Sequence, residues 1–253
     1  MLDKSKYAII GFGVMGKAIV SSLISKGKVD PKNIKVAEPN PEQLALLSKE
    51  FGILGSVDNG EVVKDAEIVI LAVKPQRFDL VAKSIKNLIR PDALVISIIA
   101  GASLVTLVEK LGVQQIVRTM PNTASQIGMG ITVWVTTDQV SDEKKEVASK
   151  ILQTFGEEVF VDDEGYLDMA TALSGTGPAY VFLFMESMID AGVHMGFPRR
   201  IAEKLVVQTI RGSTEFYLQN HEHPARLRND VTSPGGTSAE ALYYLEKAGF
   251  RTA

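Results

Sequence analysis

The chain has no cysteine. Disulfides, thiol nucleophiles and thiolate metal sites are therefore excluded, an absence compatible with a reducing cytosol. A basic excess is missing too. Against 27 Lys and Arg stand 30 Asp and Glu, a net charge of -3, and no run of cations offers a field for a nucleic-acid backbone or an anionic membrane surface. Neither nucleic acid nor membrane is expected as a partner. No apolar run is long enough to span a bilayer, and the start MLDKSKYAIIGF lacks the apolar core and small-residue cleavage site of a signal peptide. The expected location is the cytoplasm. Histidine is scarce: of the three, His221 and His223 flank Glu222 without helical i, i+4 spacing or a third ligand, so no metal is expected.

What the chain does have is enough apolar content, 45% of 253 residues, to fill the core of one large domain or two smaller ones. From residue 7 to about 161, short β-branched runs alternate with amphipathic stretches. The runs are YAIIG from Tyr7, NIKVAE (33–38), EIVILAV (67–73), ALVISII (93–99), QIVRT (115–119) and ITVWVT (131–136). Such alternation predicts βαβ units and a mostly parallel sheet, an α/β fold. The runs at 67–73 and 93–99 are almost continuously apolar, which suits strands covered on both faces at the sheet centre. After Val161 the pattern turns all-helical, with Pro178 and Pro198 placed where helices start. The boundary is expected at the acidic turn Asp162, Asp163, Glu164, Gly165.

The helix expected from Pro178 to Gly192 is apolar nearly all round, broken mainly by Glu186 and Asp190. A helix without a polar face has to be buried, and fewer than a hundred residues of helix have little interior to offer. Burial against a second copy of the chain is the expected solution, with a monomer packed on its own helices as the alternative.

The first strand runs into Gly11, Phe12, Gly13, Val14, Met15, Gly16, a GxGxxG segment opening a helix. The first glycine makes the tight turn, the second lets backbone approach a pyrophosphate, and the third lets helix pack on strand. An ordinary turn is the alternative, and the strand before and helix after favour a dinucleotide. Glu38, ending the second strand, stands where an acid bonds ribose hydroxyls and repels a ribose phosphate, and residues 39–48 hold no Lys or Arg. That leans towards NADH over NADPH; a simple polar turn would account for the same residues.

Three further turns, Ala72 to Pro75 (with Val73 and Lys74), Ala100 to Ala102 (with Gly101) and Met120 to Thr123 (with Pro121), follow predicted strands on the ligand-binding edge of the sheet. In the last of them Asn122 offers an amide suited to a carboxamide or carboxylate. In the helical half, 173–180 and 231–240 each put hydroxyls and glycines ahead of a helix, with Ser174 and Gly175 in the first and Ser233, Gly235, Gly236, Thr237 and Ser238 in the second. Both predict anion-binding helix starts, or plain caps.

Taken in order, GFGVMG (11–16), AVKP (72–75), AG (100–101), MPNT (120–123), SGTGPAY (174–180), HP (223–224) and VTSPGGTS (231–238) closely resemble pyrroline-5-carboxylate reductases almost end to end. SGxGPAY and the PGG segment are the specific parts. The resemblance implies an N-terminal Rossmann dinucleotide-binding domain over 1–162, and an all-helical dimerisation and substrate domain over 163–253. It implies a homodimer or a higher homo-oligomer built on dimers. The activity implied is hydride transfer from NADPH or NADH to the cyclic imine 1-pyrroline-5-carboxylate, giving L-proline, the final step of proline biosynthesis. Together with the motif reading it assigns the cofactor to Ile10, Gly11, Phe12, Gly13, Val14, Met15, Gly16, Glu38, Asn59, Ala72, Val73, Lys74, Pro75, Ala100 and Gly101. The substrate falls to Asn122, Glu164, Ser174, Gly175, Gly235, Gly236, Thr237 and Ser238, with Ser238 or Ser233 hydrogen-bonding the ring nitrogen. Relatives commonly carry Thr where Ser238 stands, a change that keeps the hydroxyl. They also commonly continue with a further helix beyond Ala253, so a thinner dimer interface is expected here.

Two other readings share the first half of this pattern. A β-hydroxyacid dehydrogenase needs a general base and would place a lysine early in the helical half; the stretch 173–192 contains none. A dinucleotide-binding regulator would keep GxGxxG without needing two hydroxyl-rich helix starts.

Overall fold

The computed structural model describes residues 2–253 and divides into two compact units, Met1–Tyr180 and Val181–Ala253. In the first, β1 (Tyr7–Ile10), α1 (Val14–Ser25), β2 (Ile34–Ala37), α2 (Pro41–Phe51), β3 (Leu54–Ser56), α3 (Asn59–Val63), β4 (Ile68–Leu71), α4 (Pro75–Ile85), β5 (Leu94–Ser97), α5 (Leu104–Leu111), β6 (Ile116–Met120), β7 (Gly130–Thr136), α6 (Asp142–Gln153) and β8 (Gly156–Phe160) follow one another. The eight strands form one sheet in the order β3-β2-β1-β4-β5-β6-β7-β8. From β3 to β6 every neighbour is parallel; β6 and β7 are antiparallel. The turn from Met120 to Gly130 carries only a short 3-10 segment, too little chain for a crossover, so the strand returns beside its predecessor.

The apolar runs at 67–73 and 93–99 become β4 and β5, the middle of the sheet, and all eight of their residues are buried. Helices cover both faces. One core layer gathers Ile9, Ile19, Leu23, Ile70, Ile96 and Trp134; the other gathers Ala8, Ile10, Leu71, Phe78, Ile85, Val95 and Leu107. Strand side chains alternate between the two layers, as the period-2 geometry of a strand covered twice requires.

Two strands go beyond the sequence expectation, and both are edges. β3 is three residues long with a glycine in the middle, and β8 carries Glu157 and Glu158, so neither has the apolar run of a central strand. They hydrogen-bond to β2 and β7 respectively because those strands have a free side to cap.

α7 (Gly165–Ala170) passes through a π turn (Thr171–Gly175) into α8 (Gly177–His194); α9 (Arg199–Asn220), α10 (Pro224–Asp230) and α11 (Thr237–Lys247) complete the all-helical end. The helix start expected ahead of Pro178 is not a free one. Ser174 Oγ donates to the Ala170 carbonyl at 2.9 Å, and Thr176 Oγ1 donates to Ala172 O at 3.0 Å, contacts the Tyr180 hydroxyl at 2.7 Å and closes on Thr171 O at 3.1 Å. The Thr176 amide also goes to Thr171 O, at 2.9 Å. Hydroxyls that back-bond to helical carbonyls are not available to cap, so α8 starts at Gly177, with Pro178 in its first turn as expected, directly behind the π turn and without a free hydroxyl cap.

The apolar α8 is not covered within one chain. Only Gly192 is buried, while Phe182 and Leu183 are 63% and 64% exposed. Across Val181–Ala253 the buried hydrophobic residues are Ala202 and Val206 alone. No described helix is long and apolar enough to cross a membrane.

Candidate active site

The parallel strands β1, β2, β4, β5 and β6 all end on one edge, and each ends in one of the turns singled out from the sequence. From β1 the chain moves outward to β2 and β3, then returns past β1 to β4, so the connections leave in opposite directions between β1 and β4. That reversal opens the crevice in which sheets of this kind bind ligands.

The glycines at its mouth have separate reasons. Gly11 has φ +91°, and a Cβ there would lie 2.7 Å from Val73 Cγ1 and 2.8 Å from the Ala72 carbonyl oxygen, so β1 and β4 meet too closely for a side chain. Gly16 is buried where a Cβ would collide with the Gly11 carbonyl oxygen. Gly13 is different: a Cβ would meet nothing within 4 Å. It is the N-cap of α1 and provides no side-chain cap, and the first amide of the helix to be bonded within it is that of Lys17, to Gly13 O at 2.9 Å. The open space over Gly13 and the uncapped amides of Val14, Met15 and Gly16 fit a pyrophosphate, which helix amides and the helix dipole both attract. Ile10 and Phe12 are buried side chains, Phe12 edge-on to Phe51 with ring centres 6.0 Å apart; only their backbone faces the turn.

Glu38 directly follows β2 at 9% exposure, with Oε1 accepting the Asn40 amide at 3.1 Å, and Asn40 in turn caps α2. The carboxylate is thus held on the crevice edge. Asn59 opens α3 with its amide nitrogen donating to Ser84 Oγ at 3.0 Å. Lys74, exposed, precedes Pro75 at the start of α4. Ala100 and Gly101, both exposed, top the turn after β5, where a Cβ on Gly101 (φ +74°) would meet nothing within 4 Å. Asn122 follows β6 with Oδ1 buried and without a hydrogen-bond partner, and Gly175 backs onto Met120, whose Cε stands 2.5 Å from where its Cβ would be. The π turn therefore brings Ser174 and Gly175 beside the β6 turn.

In the other unit, Ser233 to Ser238 form the start of α11. Gly235 takes φ +69°, Gly236 is an N-cap without a side-chain bond, and the Gly236 amide turns back to Ser233 O at 3.0 Å. The first amide bonded into α11 is that of Glu240, to Gly236 O at 3.2 Å. The amides of Thr237 and Ser238 and the hydroxyls of Ser233, Thr237 and Ser238 make no hydrogen bond among the described residues, which leaves donors that an anion could use.

Residues 164–253 match the family model for pyrroline-5-carboxylate reductase dimerisation, and residues 6–101 that for NADP oxidoreductase, coenzyme F420-dependent. The chain is 41% identical over 246 residues to a pyrroline-5-carboxylate reductase of Synechocystis sp., covering 97% of this chain and 91% of that one. With the Escherichia coli pyrroline-5-carboxylate reductase it shares 39% over 251 residues, covering 99% and 93%. The chain belongs to the pyrroline-5-carboxylate reductases. These are NAD(P)H-dependent oxidoreductases acting on a C=N bond in the final step of proline biosynthesis. A solved member from Plasmodium falciparum, with NADP bound, superposes with TM-score 0.90 at 33% identity over 99% of this chain and 92% of that one.

One ion-pair cluster of this reductase escapes the motif reading. Arg118, 6% exposed in mid-β6, pairs with Glu164 at 2.7 Å and with Asp168 at 3.2 Å. Its signal in the sequence was a single cation inside the strand-like run QIVRT.

Proposed function

We propose that this chain binds its nicotinamide cofactor along the strand-end crevice of the first unit and its imine through the α11 start of the second. When bound, the cofactor supplies the hydride. Val14, Met15 and Gly16 amides take the pyrophosphate, Gly13 gives it room, and Glu38 takes the adenosine ribose hydroxyls. The turns at Ala72 to Pro75, Asn59, and Ala100 with Gly101 complete the cofactor side. The buried, unpartnered Oδ1 of Asn122 is an acceptor for a ligand N–H, since a buried acceptor left alone is costly.

On the substrate side, Gly235, Gly236 and Thr237 amides hold the carboxylate. Ser238 or Ser233 hydrogen-bonds the ring nitrogen as its charge changes, and Glu164, Ser174 and Gly175 are assigned to the substrate as well; the Ser174 hydroxyl is already committed to Ala170, so its part is through backbone. Such preorganised donors act without reorganisation as charge develops. The proton on nitrogen arrives with an already protonated imine or from water.

Glu38 favours NADH over NADPH, since the 39–48 segment supplies no cation to a ribose phosphate. The functional assembly is a homodimer, alone or as the unit of a larger oligomer. The support for it is a helical unit with two buried hydrophobic residues and a 710 Å³ groove lined by Phe216, Tyr217, Leu227 and Val231 among others; a surface of that kind is covered by a partner. The cytoplasm is the proposed location, in keeping with the absence of cysteine.

The observation that carries this reading is the open, uncapped start of α1 at Gly13 beneath the β1–β4 reversal. Steady-state oxidation of NADH and NADPH with 1-pyrroline-5-carboxylate tests it: imine-dependent oxidation supports it, and none with either cofactor refutes it.

A further inference from the structure

Glu164 Oε1 is claimed twice from inside the protein. It accepts Arg118 Nη1 at 2.7 Å and the Leu104 amide at 2.7 Å. Leu104 is the first residue of α5, so this bond anchors the turn that carries Ala100 and Gly101. Oε2 accepts no hydrogen bond among the described residues. The side chain of Glu164 is 29% exposed against 8% for Arg118, so the free oxygen is the part of the pair that a ligand reaches.

A buried cation on a central strand is a poor stabiliser, because apolar residues of similar volume often do as well once desolvation is counted. Its neighbours Ile116 and Val117 are fully buried hydrophobics. What the guanidinium provides that they do not is a rigid fork, one branch on Glu164 and the other, Nη2, on Asp168 Oδ1 at 3.2 Å. Asp168 is itself 80% exposed, which leaves Glu164 as the carboxylate whose direction the fork decides.

We infer that Arg118 is a positioning residue of the reductase: it orients Glu164 so that one carboxylate oxygen is used internally and the other is presented to the imine. The inference rests on the reading that Glu164 faces substrate. Arg118 touches neither substrate nor cofactor and acts through Glu164.

The test is a double-mutant cycle of Arg118→Met and Glu164→Gln with Arg118→Lys as the conservative variant. Its readouts are imine KM, NADH affinity by fluorescence titration, and hydrogen exchange of the Leu104 amide in the cofactor-free protein. Each single variant should raise imine KM about tenfold, the double should be no worse than the weaker single, as for two members of one unit. NADH affinity should stay within about twofold, the Leu104 amide should exchange faster in Arg118→Met, and Arg118→Lys should recover part of the KM. A normal imine KM in Glu164→Gln overturns the reading that Glu164 faces substrate, and the inference with it. A raised KM in Glu164→Gln combined with additive losses, or with a normal KM in Arg118→Met, overturns the role of Arg118 alone. Where Arg118→Met does not fold, Arg118→Lys paired with Glu164→Gln forms the cycle and is read by the same outcomes.

Discussion

Gly11 backs onto Ala72 so closely that a methyl group on its Cα would stand 2.8 Å from the Ala72 carbonyl oxygen. Two residues on, Gly13 has nothing within 4 Å of the same position. The two glycines of one motif therefore differ: the first is required by the protein's own packing, while the second leaves open space that the proposed reading gives to the pyrophosphate. Gly11→Ala should lower the melting temperature, through both the contact and the strain of a side chain at φ +91°. Gly13→Val should melt as the parent does and lose most of its NADH affinity. Calorimetry and fluorescence titration on both variants check this, and a Gly13→Val protein with parental affinity would remove the pyrophosphate from that turn.

Glu38 sets cofactor preference if its carboxylate meets the ribose. Replacing it by Ser or Arg should shift the ratio of kcat/KM for NADPH over NADH upward by relieving repulsion of the ribose phosphate, with imine KM little changed. An unmoved ratio means that Glu38 serves only the Asn40 turn it already bonds.

The exposed apolar face of α8 predicts its own failure mode. Phe182→Asp places a charge on a side chain that is 63% exposed in the single chain, so the fold of one copy tolerates it, but burial of that face in an assembly would not. Sedimentation velocity should show the parent as a dimer or larger and Phe182→Asp shifted to monomer at micromolar concentration. A parent that sediments as a monomer would contradict the assembly.

The Tyr7 phenol adds a pH dependence. Burial raises its pKa above the ordinary tyrosine range, with Asp3 and Glu67 adding to the rise, and its hydroxyl donates to Leu2 O at 3.0 Å. The folded state thus favours the neutral phenol. That contribution to stability is complete below about pH 10, where an unfolded tyrosine ionises, and is lost as pH rises further towards the folded pKa. Denaturant midpoints measured from pH 8 to 11 should fall above about pH 10, and less steeply in Tyr7→Phe; parallel curves would deny Tyr7 the effect.

Ser238→Ala should lower kcat by about one to three orders of magnitude if its hydroxyl steadies the ring nitrogen, with NADH affinity spared. Ser238→Thr should remain active because it keeps the hydroxyl. Full activity in the alanine variant would move the role to Ser233 or water.

How far these features could be read in advance depended on whether a residue's reason was local. The strand-turn-helix at Gly11 to Gly16, the buried runs of β4 and β5, and the Pro-Gly-Gly turn before α11 each follow from backbone needs visible within a few residues. β3 and β8 are not visible that way: with Gly55 in one and Glu157 and Glu158 in the other, they are strands only because β2 and β7 offer them an edge. Pro178 reads as a helix start, and α8 does begin at Gly177; what no local pattern shows is the π turn before it, where the hydroxyls of Ser174 and Thr176 turn back on the preceding carbonyls. Arg118 and Glu164 are 46 residues apart, and no local pattern joins them; only the packing of α7 across β6 and β7 does.

On the proposed reading, hydride passes from the cofactor in this crevice to the imine carbon. NADH carrying deuterium at the transferable position of nicotinamide C4, turned over once with 1-pyrroline-5-carboxylate, tests it most directly. The expected product is L-proline with one deuterium on the δ carbon, formed by the parent protein and lost in Gly13→Val. Proline without the label, or NADH left unoxidised, would contradict it.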